Sequence, residues 1–117
     1  MLIEDDIDIL CICETWLDSS VECKYLNIPN FKLFRCDTGR GGGTCIFVRE
    51  VFNVSVVATN ISRVEGVDDL WIQVHHKKFP AVIVGCIYRH PRATAHSISY
   101  LSDVFKDMCL KKKPIFI

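Results

Sequence analysis

The sequence predicts a mixed α/β domain of the α+β kind, rich in strands and carrying one clear helix. Three observations predict it. Residues 8–13 and 81–87 form two short, nearly continuous apolar runs, which read as strands buried on both faces. Leu70, Ile72 and Val74 alternate with Trp71, Gln73 and His75, the period of a strand. From Ser97 the period changes, and Ile98, Leu101, Phe105 and Met108 recur at the spacing of an amphipathic helix.

The elements follow in order. Residues 1–7 are acidic and precede a first strand over 8–13. Asp18-Ser19-Ser20 opens a loop or short helix, and Asn27-Ile28-Pro29-Asn30 is turn chemistry. Phe31 to Arg35 is a short strand, Asp37 to Gly43 a glycine-rich connection, and Thr44 to Arg49 the next strand. Val54 to Ala58 alternates loosely, as an edge or half-buried strand does. Asp68-Asp69 reads as a turn before the alternating strand. Lys77-Lys78-Phe79-Pro80 then turns a hairpin into the strand over 81–88. Ser97 is placed to cap the helix, Lys111-Lys112-Lys113 suits the negative end of its dipole, and Pro114 prevents its continuation.

Composition bounds the function. Half of the 117 residues are hydrophobic, ample for one core. Fourteen basic residues balance fourteen acidic ones, so no overall field draws the chain onto nucleic acid. A DNA contact would need a local patch, with Arg35, Arg40, Arg49, Arg89 and Arg92 as candidates. The start, Met1-Leu2-Ile3 followed by Glu4-Asp5-Asp6, does not read as a secretory leader. No apolar run approaches the roughly 18 residues of a membrane helix, so no membrane partner is expected, and the sequence identifies no obligate protein partner. Seven cysteines are an odd number, and Cys11, Cys13, Cys45 and Cys86 fall inside apparent core strands. They read as reduced thiols of an intracellular protein.

Both long apolar runs end on a residue that can do chemistry. The first leads into Glu14-Thr15-Trp16-Leu17, the second into Tyr88-Arg89-His90-Pro91. A strand end holds a polar group with little freedom. A carboxylate there can serve a hard cation such as Mg²⁺. A phenol can donate to a phosphoryl oxygen. Taken singly, each also has an ordinary reading, a solvated glutamate and a tyrosine with its hydroxyl at the rim. Thr15 could support Glu14 or simply cap locally, and Trp16 reads as packing. Other motifs carry less. Gly39 to Gly43 is no Walker loop, since no Gly-Lys-Ser/Thr follows, and reads as a place where backbone passes close to a neighbour. Cys11 and Cys13 lack a second pair at zinc spacing, and His75-His76 point to opposite faces.

Three segments in order resemble the endonuclease/exonuclease/phosphatase superfamily: Glu14-Thr15-Trp16-Leu17 after an Asp-Ile-Leu strand, Arg40-Gly41-Gly42-Gly43 before Thr44 to Arg49, and Tyr88-Arg89-His90-Pro91 after a Val/Ile strand. The combination is most similar to the apurinic-endonuclease-type domain of non-LTR retrotransposons. The resemblance implies a partial two-layer β-sandwich flanked by helices. It implies Mg²⁺ (or Mn²⁺) held by Glu14, Tyr88 as a catalytic residue, and a DNA-nicking reaction of the intact parent protein, in the nucleus if that parent is a retroelement endonuclease. Arg89 fits the retroelement branch, and His90 receives no role. The family's Gly-Asp-x-Asn and Ser-Asp-His segments are not in the sequence. Residues 1–117 therefore read as a single partial domain lacking a first strand and the distal half, and little activity is expected of it alone. A phosphatase or lipid phosphodiesterase of the same superfamily, or a non-catalytic interaction module on this scaffold, would share these features.

Overall fold

A computed structural model describes residues 7–15, 17, 20, 22, 26–37, 42–59 and 66–117. The expectations for residues 18–19, Trp16, Cys23 and Arg40 lie outside the described residues. In chain order the elements are β1 (Ile9–Cys13), β2 (Phe31–Cys36), β3 (Thr44–Arg49), β4 (Asn53–Thr59), β5 (Val67–His76), β6 (Phe79–Arg89), α1 (Ala95–Leu110) and β7 (Ile115–Phe116). They make a mixed α/β fold of two sheets and, among the described residues, one helix rather than several.

The first sheet has the order β1-β3-β2 and is antiparallel throughout. Its centre is β3, because Thr44-Cys45-Ile46-Phe47-Val48 is apolar on both faces and both faces are covered. Ile46 and Val48 point to the second sheet, while Cys45 and Phe47 pack with Phe31, Leu10 and Leu33 on the opposite side. The run over 8–13 is not buried on both faces. It forms the edge strand β1, with Cys11, Ile12 and Cys13 exposed. Its apolar sequence misleads because an edge strand has a neighbour on one side only.

The second sheet has the order β4-β5-β6-β7. β4, β5 and β6 form an antiparallel meander, with Lys77-Lys78 turning the hairpin between His76 and Phe79. β7 returns through α1 to lie parallel to β6, pairing Ile83 with Ile115. Leu70, Ile72 and Val74 of β5 and Val84 and Cys86 of β6 face the first sheet and meet Ile46, Val48 and Phe52 in the main core. The opposite face carries Trp71, Ile83 and Ile87, and Val104 and Met108 of α1 cover it.

Asp68 and Asp69 do not turn the chain. They continue β5 and are buried, at 2% and 0% exposure. Two buried carboxylates are tolerable only if hydrogen-bonded. Asp69 accepts from the Trp71 indole at 2.9 Å and from the Tyr100 hydroxyl at 3.0 Å, which pins α1 to the sheet. Trp71 lies opposite Gly85, where a Cβ would sit 2.6 Å from the indole ring. The missing side chain is the room the indole occupies.

The helix begins two residues before Ser97, which stands in its first turn and not at its cap. The Ser97 hydroxyl donates to the Thr94 carbonyl at 2.6 Å and accepts from Arg89 Nε at 2.7 Å. Burial is shared by Leu101, Val104 and Met108, while Ile98 is 59% exposed, so the covered stripe is rotated from the one the spacing suggests. Trp71 and Ile83 set that rotation, because their face is the one α1 must cover. The helix closes at Leu110, and Lys112 takes the left-handed conformation just beyond it. Among the described residues no helix is long and apolar enough to cross a membrane. None of the six described cysteines is in a disulfide; Cys36, Cys45 and Cys86 are buried, whereas Cys11, Cys13 and Cys109 are exposed. Burial pushes the Cys45 thiol up to about 11.

Candidate functional site

β1 and β6 belong to different sheets, yet their ends meet. The sulfurs of Cys13 and Cys86 lie 3.8 Å apart, and each thiol also reaches a carbonyl of the opposite strand, Ile87 at 3.5 Å and Ile12 at 3.6 Å. The residue after Cys13 is Glu14, and Tyr88 is two beyond Cys86 on the same face of β6. The seam therefore delivers both side chains to one place. The Tyr88 hydroxyl donates to Glu14 Oε1 at 3.1 Å, across 74 residues of sequence.

Glu14 takes a left-handed φ of 54°. For a residue with a Cβ outside the Asn/Asp class this conformation is uncommon and costs about 1–2 kcal/mol. The bend is held from the first sheet, where Thr15 N–H donates to the Gly43 carbonyl at 3.3 Å. The Thr15 hydroxyl is used locally, accepting from Leu17 N–H at 3.4 Å. Gly43, at φ 84°, leaves no room for a Cβ, which would lie 2.6 Å from Thr15 Oγ1.

A second pair stands beside the first. Asp68 is directly opposite Tyr88 in the β5–β6 ladder. Its Oδ2 accepts from Gly43 N–H at 2.8 Å and lies 3.1 Å from His90 Nε2. The rings of Tyr88 and His90 meet edge to face with centroids 4.8 Å apart. A Cβ on Gly42 would fall 2.5 Å from Asp68 Oδ2 and 2.8 Å from the His90 ring, so the glycine run lets the backbone close over the carboxylate. The Thr44 hydroxyl next in the chain is buried and without a partner among the described residues.

Sequence reasoning named Glu14 and Tyr88 and missed Asp68 and His90. The signal for Asp68 was the backward continuation of the Leu70-Ile72-Val74 alternation. The signal for His90 was its i+2 spacing from Tyr88, which puts both on one face. Three of the arginine candidates are engaged within the fold. Arg35 pairs with Asp37 at 2.6 Å, and Arg49 pairs with Asp8 at 3.2 Å and lies over the Phe31 ring. Arg89 is spent on Ser97 and on the carbonyls of Ala93 and Thr94, which makes it a brace for the start of α1.

Partial loss of hydration, and then the bond to the Glu14 carboxylate, hold the Tyr88 phenol above its ordinary value. It is thus a neutral donor at neutral pH. A raised phenol favours the fold while protonated, so its contribution is complete below the unfolded value near 10. That contribution is lost as pH rises through the raised one. In Glu14→Gln the phenol should ionise at a lower pH than in the wild type, read from the Tyr88 ring resonances across an alkaline titration. An unchanged titration would mean that the pair does not form.

Among the described residues no group of three or more His, Cys, Asp or Glu side chains is gathered to hold a metal. The exposed carboxylate of the site is that of Glu14, whereas that of Asp68 is buried. That suits the way Mg²⁺ is often bound, by one or two carboxylates with waters and substrate phosphate completing its shell. No family model, curated protein or solved structure matches the chain.

Proposed function

We propose that this chain carries the Glu14–Tyr88 portion of a divalent-metal-dependent phosphodiesterase site of the endonuclease/exonuclease/phosphatase kind. By the same resemblance it is part of the DNA-nicking endonuclease of a non-LTR retrotransposon, which works in the nucleus. One observation supports this above the others. Two residues nominated from separate segments share a hydrogen bond of 3.1 Å at the mouths of two strands from opposite sheets.

Glu14 is the residue that would hold Mg²⁺ (or Mn²⁺), and the cation would supply positive charge against the phosphoryl oxygens. The protein's own contribution is positional. Tyr88 has a single proton to donate. In the free site it goes to Glu14, and with a phosphodiester present it passes to a non-bridging oxygen. The edge-to-face contact with His90 fixes the phenol ring, so the hydroxyl is aimed before substrate arrives. Nothing in this pair selects DNA over another phosphoester. The engagement of Arg35, Arg49 and Arg89 within the fold favours, as a second reading, a substrate smaller than a duplex.

The test joins this chain to a family first strand and to a distal half bearing the Gly-Asp-x-Asn and Ser-Asp-His segments. It assays nicking of supercoiled plasmid and cleavage of a small phosphodiester, with and without Mg²⁺. Metal-dependent nicking is expected, and Tyr88→Phe should slow it about a hundredfold, as the loss of one preorganised donor does. Cleavage of the small diester alone would move the assignment to the second reading. Equal rates in wild type and Tyr88→Phe would refute the role of the phenol.

A further inference from the structure

Asp68 has no part in the reading above and His90 only steadies the phenol ring, yet both are built into the same strand mouths. The Asp68 side chain is 3% exposed and that of His90 is 32%, so the imidazole spans from a buried carboxylate to solvent. A carboxylate can only accept, which requires the proton of that contact to sit on Nε2. The remaining ring nitrogen, Nδ1, has no partner among the described residues. Gly43 N–H holds the same carboxylate oxygen, and the backbone of Gly42 passes so close to it that a Cβ there would fall 2.5 Å away. The orientation of the imidazole is therefore set from beneath, by backbone as well as by side chain.

We propose that His90 is a further phosphate-contacting residue of this site, held by Asp68 so that Nδ1 serves the anion beside the Tyr88 hydroxyl. The proposal rests on the reading of Glu14 and Tyr88 as a phosphoester site and adds a third contact to it. When a phosphate binds, Nδ1 takes up one proton from solvent and keeps it as an N–H that donates a hydrogen bond to a phosphoryl oxygen. The ring then carries a positive charge with the Asp68 carboxylate against its other edge. A carboxylate behind an imidazole is the usual device for fixing its tautomer and steadying its charge. Beyond that proton transfer from solvent, no bond of the phosphate is made or broken in this step. His90 would accordingly be a binding residue that acts with Tyr88, and Asp68 a positioning residue that acts through His90.

The experiment uses the 117-residue chain, isotope-labelled, with inorganic phosphate as probe and no metal. The nitrogen resonances of His90 are expected to show the proton on Nε2 in the free chain. Added phosphate should move Nδ1 from the lone-pair to the N–H position. His90→Gln should weaken phosphate binding about tenfold or more, read at the Tyr88 ring, which is what loss of a charge-assisted hydrogen bond costs. Asp68→Asn should keep the chain's shape but abolish the phosphate-induced protonation of Nδ1. Should Asp68→Asn fail to fold, His90→Gln and the wild-type tautomer decide the matter alone. A proton on Nδ1 in the free chain, or wild-type phosphate affinity in His90→Gln, would overturn the proposal. Neither readout needs turnover or Mg²⁺, so failure here leaves the Glu14 reading standing. Conversely, metal-independent nicking would sink that reading without moving the His90 signals.

Discussion

Trp71→Ala should destabilise the chain by about 3–5 kcal/mol, a large part of the roughly 5–15 kcal/mol available to a domain. The indole is fully buried between the second sheet and α1. It fills the space left by Gly85, meets the Phe105 ring edge to face at 5.7 Å, and donates to Asp69 at 2.9 Å. Alanine removes all of this at once, leaving a cavity and a buried carboxylate with one fewer donor. Trp71→Phe separates the two costs. It keeps most of the packing and loses only the indole N–H, for about 1–3 kcal/mol. Urea unfolding followed by circular dichroism measures both. A cost below about 1 kcal/mol for the alanine variant would mean that the helix does not close over this residue.

Glu14→Ala should abolish metal-dependent phosphodiester cleavage in the joined protein, by about a thousandfold or more, because it removes the exposed carboxylate proposed to hold the cation. The fold should be nearly indifferent. Glu14 is exposed, and surface substitutions of this kind usually stay within about 0.5 kcal/mol. Glu14→Gly goes further. Glycine accepts the left-handed φ of 54° without penalty, so the variant should gain up to about 1 kcal/mol in stability while losing activity. More stable and inactive is the signature of strain kept for function. Nicking that survives in Glu14→Ala would remove the metal role.

Much of the fold was legible because its central strands are apolar on both faces. Thr44 to Arg49 and the strand over 81–88 needed only the run of residues and their turn signals. The alternation after Asp69 likewise gave β5 its inward face. The errors fall where distant partners decide. Nothing local tells that Ile9–Cys13 has a neighbour on one side only. Asp68-Asp69 has the composition of a turn, and distant donors such as Gly43 N–H, His90, Trp71 and Tyr100 make burying two carboxylates tolerable. The helix was found by its period. Its start and its covered stripe were set by Arg89, Trp71 and Ile83, which the period does not contain. Glu14 and Tyr88 were visible as strand-end residues in a recognisable order, whereas Asp68 and His90 acquire meaning only once the ladder places Asp68 opposite Tyr88.

The soft contact between Cys13 and Cys86 has a practical corollary. Cys13 is open to solvent and its sulfur rests against the opposing sheet, one residue from the carboxylate. A mercurial or maleimide attached there would act as a wedge, prising apart the carboxylate and the phenol. The chain thus supplies its own attachment point for a reporter of whether those two groups are together.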